Sequence, residues 1–129
     1  MSNQHAKGQV LFKFLWQLDS YQVQGGVSPR LAGDLKNAVV RNDATTHTKT
    51  ITTKQIFNWI NGSVIPAWAR KAAFQLALEH GWRPVDLTDV ETMVFIVSKE
   101  IKSSDLAAIV RHCESHYKVS VPKALLVKM

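Results

Sequence analysis

Residues 52–66 read Thr-Thr-Lys-Gln-Ile-Phe-Asn-Trp-Ile-Asn-Gly-Ser-Val-Ile-Pro. Ile56, Trp59 and Ile60 recur at the spacing of one buried side of a short helix. Thr52 is placed to cap its start, and Asn61-Gly62 to close it, since both residues tolerate a left-handed backbone. Ile65-Pro66 then opens a further helix through Trp68, Ala69, Ala72, Ala73, Leu76 and Ala77 to His80, with Gly81 as its stop. Thr53, Lys54, Gln55, Phe57, Asn58 and Asn61 are left for the outward side and the ends of the first helix, and most of them can hydrogen-bond.

Upstream, Val10, Leu11, Phe14, Leu15 and Leu18 predict an amphipathic helix over about residues 5–21. Ser28-Pro29 is a good helix start, with Ser as cap and Pro in the first turn, where a missing N–H costs nothing. Leu31, Ala32, Leu35, Ala38 and Val39 carry that second helix to about Val40. Residues 42–53 contain six threonines and little that can be buried, so they read as an exposed loop. Downstream, Arg83-Pro84-Val85-Asp86 reads as a linker, and Thr88 with Glu91 matches a capping box. From it an apolar helix runs to Ile101, and Ser103-Ser104-Asp105 restarts a helix carrying Leu106, Ile109, Val110, Cys113 and Tyr117. Residues 119–129 fit a short strand or coil.

Charge divides the chain at the same linker. Residues 1–83 hold Lys7, Lys13, Arg30, Lys36, Arg41, Lys49, Lys54, Arg70, Lys71 and Arg83 against Asp19, Asp34, Asp43 and Glu79, an excess of six. Residues 84–129 balance, and no acid occurs between Asp43 and Glu79. A polyanion would be drawn to the first part and indifferent to the second. The expected organisation is a domain over 1–83 and an extension over 84–129. The sequence shows no apolar run of membrane-spanning length and no signal-peptide pattern, and its single cysteine, Cys113, cannot form an internal disulfide. A cytoplasmic location is the expectation.

With Thr52, Ile56, Trp59, Gly62 and Pro66 in order, and Leu31-Ala32-x-x-Leu35 upstream, the chain resembles the Cro/C1 (XRE-type) phage-repressor helix-turn-helix family over about residues 10–80. The resemblance implies an all-α fold: a lambda-repressor-like bundle with a C-terminal helical extension and a possible short terminal strand. It also implies a recognition helix over 52–61 in the major groove of duplex DNA. The family's base-reading positions fall on Thr53, Lys54 and Asn58, and Gln55 is a phosphate or base contact. Chemically, Asn58 suits adenine and Lys54 suits guanine. Phosphate contacts are expected from Arg30, Thr52, Asn61, Arg70 and Lys71, with Arg41, His47 and Lys49 as an arm. The family joins its two motif helices by a turn of a few residues. Here a longer segment intervenes, so either the turn is enlarged or a different upstream segment supplies the first helix.

Other chemistry finds less support. His112, Cys113 and His116 invite a metal, since the two histidines share a helix face, but no fourth ligand is evident nearby, and Cys113 falls on the apolar stripe, where a buried small hydrophobe is the better account. No Gly-rich phosphate loop or suggestive carboxylate pair occurs, so no enzyme, metal or cofactor is expected. Val90, Met93, Val94, Phe95, Ile96 and Val97 are apolar around most of a helix, which makes it either central to the fold or half of a homodimer interface. The leading expectation is a sequence-specific DNA-binding transcriptional regulator, a repressor of phage or mobile-element type that reads a pseudo-palindrome as a homodimer. The alternative is a protein-interaction module, an antitoxin or an inhibitor of a host protein, with a protein partner in place of DNA.

Overall fold

The computed structural model describes residues 8–42 and 50–129. Among these all regular structure is helical, and the chain divides into two compact units, residues 1–82 and 83–129. The first contains α1 (Gln9–Trp16), α2 (Pro29–Asn42), α3 (Thr53–Ile60) and α4 (Ala67–Glu79). The second contains α5 (Leu87–Ile101), α6 (Leu106–His116) and the short α7 (Lys123–Leu126). No described helix is long and apolar enough to cross a membrane.

In the first unit α4 is the central element. Ala69, Ala72, Ala73, Phe74, Leu76 and Ala77 are all buried, so the helix is covered around most of its circumference. Its alanines let neighbouring helices approach closely, and both α1 and α2 pack on it. Leu11, Phe12 and Leu15 of α1 and Leu31, Leu35, Ala38 and Val39 of α2 fill the space around it. Helix α3 packs on α1 and α2.

Helix α1 is shorter than its apolar periodicity suggests. It stops at Trp16, Leu18 is extended, and Asp19–Tyr21 form a 3₁₀ turn. Asp19 and Ser20 are poor helix formers, and Tyr21 gains more by turning inward. Its ring is buried, and its hydroxyl donates to Asp34 Oδ2 at 2.6 Å and lies 3.2 Å from His80 Nε2. Burial, then the Asp34 carboxylate, hold that hydroxyl far above the usual tyrosine range. The turn is thereby tied to α2 and to the end of α4.

In the second unit α6 and α7 pack on α5. The cap of α5 differs from the Thr88–Glu91 box expected from sequence. Asp86 is the cap, its carboxylate accepting from Asp89 N–H at 2.8 Å, while Asp89 Oδ2 accepts from Val85 N–H at 3.0 Å. Together Asp86 and Asp89 satisfy two N–H groups and start the helix two residues before Thr88. They capture the chain first, and Thr88 becomes an ordinary helical residue. Helix α6 starts at the expected Ser103-Ser104-Asp105 segment, where Asp105 is the cap and accepts from Ala107 N–H at 3.3 Å. The short terminal strand does not form. Lys118 takes a left-handed conformation, Val119 N–H closes back on Cys113 O at 3.0 Å, and Val119 and Val121 are buried. Pro122 then starts α7, a role its fixed φ and missing N–H suit.

Tyr21→Phe is expected to lower stability by about 1–2 kcal/mol, the range for a hydrogen bond to a charged acceptor that is partly exposed. Urea unfolding followed by circular dichroism measures this. An unchanged midpoint would show that the turn is held by ring burial alone.

Candidate nucleic-acid interface

Helix α3 is built from both ends. At its start Thr52 Oγ1 accepts from Gln55 N–H at 3.1 Å, and Gln55 Oε1 accepts from Thr52 N–H at 2.8 Å, a complete capping box. At its end Gly62 adopts φ 105°, a conformation that only glycine enters without strain. Gly62 N–H bonds to Trp59 O at 3.2 Å and Ser63 N–H to Asn58 O at 2.9 Å, the paired bonds of a Schellman stop. Asn61 stays outside the left-handed region, with φ −94°, so Gly62 alone makes the reversal. The Gln9 side-chain amide of α1 donates to the Ile60 carbonyl and supplies another orphan of the last turn.

One side of this short helix is fastened to the core. Ile56 is wholly buried, and Trp59 and Ile60 nearly so. The Trp59 ring lies 5.2 Å from Phe12 of α1 and 6.2 Å, edge-on, from Trp68 of α4. The opposite side is a stripe of exposed residues, Lys54, Phe57, Asn58 and Asn61, at the helical spacing of three, four and seven from the first. Phe57 is 48% exposed, and Val64, just past the stop, 62%. No acidic residue lies between residues 50 and 78.

The expected contact residues separate into groups. Lys54 and Asn58 share the exposed stripe with Asn61, whose amide donates to the Phe57 carbonyl at 2.8 Å. Thr53 and Gln55 are half-buried, and Gln55 spends its carbonyl on the cap. Thr52 is exposed at the cap, Arg30 is exposed in the first turn of α2, and Lys71 is half-buried. Two arginines have intramolecular work that sequence did not reveal. Arg41 Nη2 pairs with Glu79 Oε1 at 2.9 Å, a surface link between α2 and the end of α4. Arg70 donates to the Ile65 carbonyl at 2.7 Å, and its stem lies so close over Gly8 that a Cβ there would fall 2.9 Å from Arg70 Cγ. Burial lowers the Arg70 pKa. His47 and Lys49, the other arm residues, lie outside the described residues.

In the second unit Cys113 is buried as expected, and burial pushes its thiol up to about 11. Sequence reasoning missed Glu100, which the fold brings to His112 from another helix. Comparison with protein-family models, curated proteins and solved structures finds no significant match.

The two sides of α3 are expected to respond oppositely to truncation. Ile56→Ala should cost about 2–4 kcal/mol, as deletion of a fully buried aliphatic side chain does. Phe57→Ala, one residue on, should change stability by no more than about 0.5 kcal/mol. Equal losses in urea unfolding would mean that the outward stripe is part of the core.

Proposed function

We propose that the protein is a sequence-specific duplex-DNA-binding regulator that lays the outward stripe of α3 in the major groove. The observation that carries this is the acid-free, exposed row Lys54, Phe57, Asn58 and Asn61 on a helix whose other side is fixed to the core. A rigidly held helix with donors at groove spacing is what direct base readout requires. Lys54 donates to guanine, Asn58 pairs with adenine, and Phe57 meets a thymine methyl. In helix-turn-helix terms α2 is the supporting helix and α3 the recognition helix. Arg30 and Lys71 are assigned to phosphates, which set orientation and salt dependence without reading sequence. Arg70 is assigned to holding the Ile65 turn. The excess of cations in residues 1–83 supports the same partner. A repressor of phage or mobile-element type is the biological role proposed.

A second reading is favoured by one specific feature: Phe57 and Val64 leave apolar surface at the end of the same stripe. In that reading the stripe docks on a protein, as in an antitoxin or an inhibitor.

Fluorescence anisotropy of labelled mixed-sequence duplex separates the two. Binding is expected to weaken by orders of magnitude between about 50 and 200 mM salt, as several phosphate contacts demand. The double variant Lys54→Ala, Asn58→Ala should leave folding unchanged and lower affinity for a selected site by roughly 2–5 kcal/mol. No binding at the lower salt would remove the DNA reading and leave the docking one.

The regulator is proposed to act as a homodimer, because two half-sites one helical turn apart need two recognition helices. This rests on half-site geometry rather than on an open apolar face. Val90, Met93, Ile96 and Val97 are buried within one chain, and Val94 and Phe95 are half-covered. Sedimentation should show a dimer at tens of micromolar, and a monomer at that concentration would overturn the dimer proposal.

A further inference from the structure

We infer that Glu100, His112 and His116 form a zinc site in residues 83–129, independent of the α3 surface. Glu100 stands in the last turn of α5, and His112 and His116 lie one turn apart on α6, ending in its last residue. Their candidate ligand atoms all lie within 4.8 Å of one another. Glu100 Oε2 and His112 Nε2 are already 2.8 Å apart, and the two imidazoles stack at 4.8 Å between centroids, 17° from parallel. Zinc bonds of about 2.0–2.1 Å place tetrahedral donors roughly 3.3 Å apart, so the widest separation must close by about 1.5 Å while the Glu100–His112 pair opens by about 0.5 Å. A metal lies in the plane of each imidazole it binds, which two stacked rings cannot share, so the exposed His116 ring is the one that must turn out of the stack to bind.

The chemistry of the donors selects the metal. Two imidazoles and one carboxylate suit a borderline cation such as zinc, whereas calcium and magnesium take mainly oxygen ligands. Three protein ligands leave a fourth position for water, and the exposed side of His116 provides the way in. The Tyr117 hydroxyl donates to Glu100 Oε1 and orients the carboxylate from behind, as outer partners of metal ligands do. Its ring meets both imidazoles edge-on, at 5.6 and 4.6 Å. The negative ends of α5 and α6 both favour a cation here. Cys113 takes no part: it is fully buried, and its thiol stays protonated at neutral pH. The consequence is a clasp between α5 and α6 in a unit small enough to gain from one.

The full chain, stripped with a chelator, is titrated with Co²⁺ and then with Zn²⁺ in competition at pH 7.5. One ion per chain is expected, with the visible absorption of tetrahedral Co²⁺ displaced by zinc, and with a melting temperature that rises with zinc concentration. His116→Gln changes an exposed side chain and keeps the fold, which circular dichroism checks. It should weaken binding by about 100-fold or more and abolish the zinc-dependent rise in melting temperature, as loss of one of only three protein ligands demands. His112→Ala should do the same, Tyr117→Phe should weaken binding by about 10-fold, and His80→Ala should leave it unchanged. No saturable binding below about 100 µM, or binding that survives His116→Gln, overturns the site.

Discussion

The contacts of Trp59 govern the first unit. Its indole meets Phe12 of α1 on one side and Trp68 of α4 on another, so one side chain joins three helices. Each such aromatic pair adds roughly 0.5–1.5 kcal/mol beyond burial, but its larger effect is directional. A helix as short as α3 has little stability of its own and takes its orientation from what it is packed against. With Trp59, Ile56 and Ile60 turned inward, Lys54, Phe57, Asn58 and Asn61 have no other place than water. The character of the outward surface therefore follows from a hydrophobic constraint on the inward one.

Electrostatics modifies that surface in a way formal charge conceals. Of the cations in residues 1–83, Arg41 is matched by Glu79, and Arg70 is turned to the Ile65 carbonyl and packed over Gly8. Arg41 and Glu79 are both about half exposed, so their pair contributes little to stability, yet it lowers the positive potential at that corner. The field that remains for a polyanion comes from fewer side chains than a count of lysines and arginines implies. Lys54 is the cation on the α3 stripe and carries a corresponding share of any charge recognition there.

Residues 83–129 show how a small unit disposes of polar groups. Asp89 is buried, with desolvation raising its pKa, and it is tolerated because its carboxylate accepts the Val85 N–H. Glu100 is half-covered between His112 and Tyr117, again with both oxygens engaged. Each carboxylate sits where a helix begins or ends: Asp89 fastens the start of its own helix, and Glu100 joins α5 to α6.

Local features were legible in the residues themselves. The Thr52 cap, the Gly62 reversal, the Ser28-Pro29 start and the inward row of Ile56, Trp59 and Ile60 all depend on neighbours within a turn or two. The helical class and the outward stripe of α3 follow from them. Where two local signals competed, as Asp86–Asp89 did with Thr88–Glu91, spacing could not rank them, because both place a capping acceptor three residues before an acid. Tertiary structure completed the break after Trp16 that Asp19 and Ser20 only permit, since the bonds that reward it run from Tyr21 to Asp34 and His80. It also decided the occupation of Arg41 and Arg70, and the meeting of Glu100 with His112 and His116. The physical reason is common to these cases. A hydrogen bond or ion pair between distant residues leaves no period in the sequence, whereas a helix face repeats every few residues and can be read from them.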